Sequence, residues 1–346
     1  MFERTDTAAL REFVSPEGVR VLTPVLPQGS SEHGIIAHQR DLLDRYIAQN
    51  AIDSFIAWYY TPMALTFSDH LVSEVTIYDC MDELSGFLGA PQGLVEQEQR
   101  LFEKADAVFA GGASLYAAKK DQHSNVHLFP SSIDRNHFAA AREHQSDPDD
   151  QVAIPDPRIG FFGVLDERLD RDLLSQVAAD HPEWHFVLIG PVVKIQPDQL
   201  PRANNIHYLG QKSYADLPKY LANWDVTILP FARNAATRFI SPTKTPEYLA
   251  AGKRVVSTPI HDVVTPYSEL GLVRIGQDAP EFGAAIEQCL HDSDTTTWID
   301  RVDSFLAKTS WDKTFQGMWK EIQRLIPRDA ASSAAYTAEG RSGTNV

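Results

Sequence analysis

Lys244 and Glu247 stand three residues apart in the run ISPTKTPEYLAAGKRVVST at 240–258. A cation and a carboxylate at that spacing suit a ligand that carries both anionic and hydroxyl groups. Pro242 and Pro246 fit a loop and a first helical turn, Gly252 fits a helix stop, and Val255 and Val256 begin a strand. Glu247 then lies near a helix N-terminus. Backbone N–H groups at the helix start, together with the Lys244 ammonium, would hold a diphosphate. Glu247, one turn on, would accept both hydroxyls of a ribose. The plainer account is a solvated lysine and a glutamate that complements the helix dipole.

Three carboxylates, Asp79, Asp82 and Glu83, follow a predicted strand in YDCMDE at 78–83. One of them within hydrogen-bond reach of a hydroxyl would take its proton, although helix capping also explains Asp79 or Asp82. In RIGFFGVLDERLD at 158–170, Gly163 permits close backbone approach and Arg168 supplies charge. Gly190, after the strand HFVLI, makes a similar turn, which loop closure alone also explains. The spacing Asp-x-x-Asp is not Asp-x-Asp, and no His/Cys cluster has ligand spacing, so no metal site is expected. Trp58 and Tyr59 offer an aromatic wall for a sugar face or ordinary core.

These residues need elements to position them. Of 346 residues, 43% are hydrophobic and 23% charged, and 31 Lys+Arg against 47 Asp+Glu give a formal net charge of −16. The length favours two domains with sizeable cores. The acidic balance repels phosphate backbones, so no nucleic-acid face is expected and an anionic ligand must be captured locally. Cys80 and Cys289 lie far apart in the sequence, which excludes a disulfide framework and fits a reducing cytoplasm. No run approaches the ~20 apolar residues of a spanning helix. A cytoplasmic protein, or one peripheral at the inner face of the membrane, is expected.

Short β-branched or aromatic runs alternate with helical patterns, as in parallel sheets with crossover helices. Strands are predicted at 19–23, 54–59, 74–78, 107–110 and 126–129, with helices at 33–49, 62–71, 93–105 and 114–120. The Asp- and Pro-rich stretch 139–157 reads as a linker. Strands follow at 158–162, 185–189, 206–209, 226–229, 254–257 and 272–275, with helices at 169–179, 214–222, 246–251, 279–291 and 296–307. A helix at 311–326 and a disordered tail at 327–346 end the chain. The predicted architecture is α/β: two tandem Rossmann-like doubly wound domains, 1–138 and 158–310, facing a cleft.

The run NIHYLGQKSYADLPKYLANWDVTILPF at 205–231, with Pro242, Lys244, Glu247, Tyr248 and Gly252 after it, resembles the donor domain of GT-B glycosyltransferases. The likeness is to family 4-like bacterial enzymes of cell-surface polysaccharide assembly. Leu209 and Gly210, Asp225 and Val226, Pro230, Glu247, Gly252, Val255 and Val256 each supply an element of that pattern. The resemblance implies that Glu247 binds the nucleotide ribose and that Gly163, Arg168, Lys244 and the Ser241–Pro242–Thr243 backbone meet the diphosphate. It places Gly190 beside the base. The family's earlier glutamate, eight positions before Glu247, is replaced by Phe239. PSSID at 130–134 resembles the turn leading out of the acceptor domain, with Ser132 where glycine is usual. The helix 311–326 looks like the family's helix that crosses back to the first domain.

What the resemblance implies is transfer of a sugar from a nucleotide-diphosphate sugar, held by 158–310, to a saccharide or lipid-linked acceptor on 1–138. The nucleotide sugar is a substrate; no cofactor is implied. Asp79, Asp82 or Glu83 would be the acceptor-side acid/base, and a lipid-linked acceptor leaves transient membrane contact open. The family's opening strand and glycine loop, ahead of 19–23, are not seen in ERTDTAALREFVSPEG. The chain is therefore expected to lack a first strand–helix unit or to build its acceptor side differently. Two other readings share the fold: a nucleotide-sugar epimerase, and a non-catalytic nucleotide-sugar-binding protein.

Overall fold

Alternating apolar strands and helices build a six-stranded sheet, a four-stranded sheet and a separate hairpin in the computed structural model, which describes residues 7–326. The strands are β1 (Ala9–Val14), β2 (Arg20–Val25), β3 (Ile56–Tyr59), β4 (Val75–Cys80), β5 (Ala107–Ala110), β6 (Val126–Leu128), β7 (Arg158–Phe162), β8 (His185–Ile189), β9 (Ile206–Gly210), β10 (Val226–Leu229), β11 (Arg254–Ser257) and β12 (Val273–Ile275). By contact density the chain forms two compact units. One runs to Asp79 and adds Gly93–Val108 and the chain from Lys320; the other comprises Cys80–Gln92 and Phe109–Trp319.

The four-stranded sheet runs in chain order, β3-β4-β5-β6, without reversal. The six-stranded sheet is parallel in the order β12-β11-β10-β7-β8-β9. The chain walks outward from β7 to β9, then returns to the other side of β7 with β10. That reversal makes a topological switch point between β7 and β10. Every residue of β4, β5, β7 and β10 is buried, as strands covered on both faces require. Phe161, Phe186, Trp224, Ile228, Tyr248 and Val256 carry the core of the second unit; Leu42, Leu65, Ile77 and Leu101 are buried in the first.

Three expectations change. The strand predicted at 19–23 is not part of a parallel sheet but pairs antiparallel with β1, Val21 opposite Phe13. The turn Ser15-Pro16-Glu17-Gly18 explains it: the Gly18 N–H donates to the Ser15 carbonyl at 2.9 Å, and Gly18 sits at φ +84°. Proline second and glycine fourth is a type I turn closed by a left-handed residue. The helix predicted at 62–71 is a 3-10 turn, Pro62–Ala64, leading into a short helix, Leu65–Ser68. The stretch 139–157 is no free linker. Ala141, Gln151 and Ile154 are buried, the Gln151 side chain accepts the Trp224 indole N–H at 2.8 Å, and Asp147 pairs with Arg158 at 2.5 Å. A few anchoring side chains outweigh an otherwise polar composition. The tail expected at 327–346 lies outside the described residues.

Candidate functional site

The crevice at a switch point opens at the C-terminal ends of the strands, and β7 and β8 both end there in a glycine turn. Gly163 has φ +149° and Gly190 has φ +146°. The Gly163 N–H donates to the Ile189 carbonyl at 2.8 Å, and the Gly190 N–H to the Gly210 carbonyl at 2.9 Å. A Cβ on Gly190 would collide with the Gly163 carbonyl, and a Cβ on Gly163 with Cε of Lys244. At Gly190 backbone fills the space a side chain would need, and at Gly163 the positive φ favours glycine while the end of the Lys244 side chain fills the space.

The helix Lys244–Ala250 follows Ser241, Pro242 and Thr243. Pro246 falls in its first turn, where a missing N–H leaves no gap in the helix bonding. Tyr248 is fully buried, and its hydroxyl accepts the Phe162 N–H at 2.9 Å, which ties the helix to the end of β7. One turn earlier, Lys244 lies across Gly163. Its ammonium has no ion pair and no side-chain hydrogen bond among the described residues. Burial lowers its pKa, with Glu247 pulling the other way. The Glu247 carboxyl, likewise without a side-chain hydrogen bond among the described residues, is pushed up to about 7 by burial, offset in part by Lys244.

Arg168 is set by a fork onto Asp166, with Nε to Oδ1 at 3.0 Å and Nη2 to Oδ2 at 2.7 Å. Burial alone would lower its pKa, but the Asp166 pairing holds it above the ordinary value. The Ala232 N–H donates to the Arg168 carbonyl at 2.8 Å, joining the loop after β7 to the loop after β10. Arg168, Lys244, Asp82, Ser241, Pro242 and Thr243 line one cavity of 220 Å³. A second cavity, 670 Å³, is lined by Arg254, Arg274 and Arg301, but Asp292 already pairs with the first two at 3.2 Å each.

The three predicted acceptor-side carboxylates have three different environments. Asp79, in the first unit, is buried and accepts the Trp58 indole N–H at 3.0 Å; burial pushes it up to about 6. Asp82, in the second unit, lines the cavity with the two cations. Burial raises it, opposed by the charges of Arg168 and Lys244. Glu83 pairs with the buried Lys119 at 2.7 Å and accepts the Ser85 hydroxyl at 2.5 Å. Burial favours its neutral form, yet these contacts bring it below the ordinary value. Among the described residues no group of three His, Cys, Asp or Glu is placed to hold a metal ion.

Sequence reasoning missed Asp166, Phe87 and Asp262. Asp166 sits two residues before Arg168, and that spacing is its only signal. Phe87 lies under the Arg168 guanidinium at 5.4 Å and Lys194 at 4.5 Å. Asp262 accepts the Ser114 N–H at 3.0 Å across 148 residues of chain and fills the space beside Gly112. No local pattern announces either contact.

Residues 156–292 match the family model "Glycosyl transferases group 1". A curated relative, "Putative teichuronic acid biosynthesis glycosyltransferase TuaH" of Bacillus subtilis (strain 168), is 23% identical over 282 residues, covering 76% of this chain and 70% of its own. Among solved structures, sucrose-phosphate synthase from Thermosynechococcus elongatus superposes with a TM-score of 0.69 at 16% identity, covering 92% of this chain and 86% of that one. Anabaena HepE, in complex with UDP and glucose, superposes with a TM-score of 0.62 at 17% identity, covering 82% and 81%. No helix among the described residues is long and apolar enough to cross a membrane. The chain therefore has the fold of GT-B glycosyltransferases, and residues 156–292 are similar to glycosyl transferases group 1.

Proposed function

We propose that the chain moves a sugar from a nucleotide-diphosphate sugar to a saccharide or lipid-linked acceptor in the assembly of a cell-envelope or extracellular polysaccharide. One observation carries the donor half of this reading. The Lys244 ammonium shares a cavity with Arg168 and forms no ion pair or side-chain hydrogen bond among the described residues, and neither does the Glu247 carboxylate one turn on. A cation lining that cavity beside Arg168, with a carboxylate one helical turn on, matches a ligand with a diphosphate and vicinal hydroxyls.

In this reading Arg168, Lys244 and the backbone at Ser241–Thr243 hold the diphosphate, with Gly163 and Gly190 admitting it closely. Negative charge grows on the departing diphosphate as the sugar bond breaks. Cations already in place lower that barrier without reorganising, and they supply the charge for which a metal would otherwise be used. Glu247 accepts the ribose hydroxyls. Asp79, raised to about 6, is ionised at neutral pH and still basic enough to take the acceptor hydroxyl's proton. Glu83 has the less suitable environment because Lys119 already stabilises its charge.

The HepE complexes with UDP and with UDP-glucose support uridine as the first base to try. TuaH supports an envelope polysaccharide as the product class. The test is incubation with UDP-, GDP- and ADP-hexoses, with and without oligosaccharide and lipid-linked acceptors, following nucleotide release and product mass. Acceptor-dependent release of one nucleoside diphosphate with a glycosylated product is expected. An altered sugar nucleotide without any acceptor would instead indicate an epimerase.

A further inference from the structure

The diphosphate cavity contains a carboxylate that nothing in the donor reading uses. Asp82 lines it together with Arg168 and Lys244, yet forms no ion pair or side-chain hydrogen bond among the described residues. The groups facing it are Arg168 from the loop after β7 and Lys244 from the helix Lys244–Ala250, with Asp166 and Glu247 acting on the same lysine. Its neighbour Glu83 is already paired with Lys119.

The segment that bears Asp82 is fastened on both sides. Upstream, the Met81 backbone lies against Gly111 so closely that a Cβ there would strike the Met81 carbonyl. Downstream, the Leu84 N–H donates to the Asp82 carbonyl at 3.1 Å. Gly86 abuts the Ala235 backbone, and the Leu88 N–H donates to Glu167 at 3.0 Å. Phe87 meets Lys194 and Arg168. A loop held at so many points does not carry Asp82 away when an anion arrives.

We propose that Asp82 is a fixed negative charge working against the bound diphosphate, so that it weakens retention of the nucleotide and speeds its release after transfer. The inference rests on the donor-site reading above. Two cations alone would hold a diphosphate tightly, and product departure would then limit turnover. A carboxylate lining the same cavity reduces the net attraction for the product diphosphate, on which both cations act.

The test is calorimetric titration at pH 8 with UDP, GDP and ADP, and with inorganic pyrophosphate, on wild type, Asp82→Asn, Asp82→Ser and Asp82→Glu, with thermal melts to confirm folding. Nucleotide release is followed in parallel by stopped flow. Removing the charge should tighten binding about tenfold and slow release correspondingly, in Asn and Ser alike, while Glu keeps wild-type affinity. Equal or weaker binding by Asp82→Asn, with wild type still binding, overturns the proposal and leaves the donor site standing. If Lys244→Ala binds as tightly as wild type, or if neither wild type nor Asp82→Asn binds any of these anions, the donor-site reading itself fails and this inference falls with it.

Discussion

Cε of Lys244 occupies the space that a side chain on Gly163 would need, so the backbone turn and the cation are built as one piece. Gly163→Ala must push Lys244 out of the crevice or move the turn, which also sits at φ +149°. The substitution should cost about 1–3 kcal/mol of stability and at least tenfold in nucleotide affinity. Chemical denaturation and nucleotide titration of the variant check both.

Glu247 gives a pH dependence of definite sign. Its folded pKa of about 7 exceeds the ordinary 4.5, so the fold favours the protonated form. This contribution to stability is fully present below about pH 4.5 and is lost as pH rises through 7. In the proposed donor site Glu247 accepts the ribose hydroxyls in its ionised form, so donor affinity should rise with pH through the same window. Glu247→Gln should therefore be more stable than wild type at pH 8, by about 2 kcal/mol, while losing nucleotide-sugar binding. Melting curves at pH 5 and pH 8, with titration of a nucleotide-diphosphate sugar across that range, would show it.

If Asp79 takes the acceptor proton, Asp79→Asn should leave donor affinity within twofold of wild type and reduce turnover by about 10²- to 10⁴-fold. The acid limb of the wild-type rate profile should break near pH 6, the value to which burial raises this carboxyl. Steady-state rates from pH 5 to 8, beside donor titrations, separate this from a donor-site defect.

The fold was legible because its signals are local. The buried runs at 158–162, 185–189 and 226–229 coincide with β7, β8 and β10, and the glycines at 163 and 190 mark the ends of two strands. The stretch 240–258 announced the helix that carries Lys244 and Glu247, because proline, glycine and glutamate each have positional preferences at helix ends. The partners contributed from afar were not legible. Tyr248 reaches the Phe162 backbone 86 residues away, Asp262 reaches Ser114 across 148, and Phe87 meets Arg168 only once the chain is folded. The hairpin β1–β2 was legible in principle, in Ser15-Pro16-Glu17-Gly18, but a mostly exposed strand carries a weak alternation pattern.

Arg142 supports the site from below. Its guanidinium takes Asp303 in a fork at 2.8 and 2.9 Å and donates to the Ala250 carbonyl at 2.6 Å, at the C-terminal end of the helix that begins with Lys244. Arg142→Ala should destabilise the protein by about 1–3 kcal/mol, through the lost cap and an unpaired Asp303. Nucleotide affinity at a temperature where the variant is folded should change less than threefold. Denaturant midpoints and a single titration suffice to check it.

The central claim is that Lys244 and Glu247 hold a nucleotide diphosphate. Titrating UDP, GDP and ADP into wild type, Lys244→Ala and Glu247→Ala by calorimetry tests it most directly. The account predicts saturable binding of one nucleoside diphosphate by wild type, weakened at least tenfold in each variant while both remain folded. Wild-type binding that survives both substitutions unchanged, or no binding of any nucleotide by wild type, would contradict it.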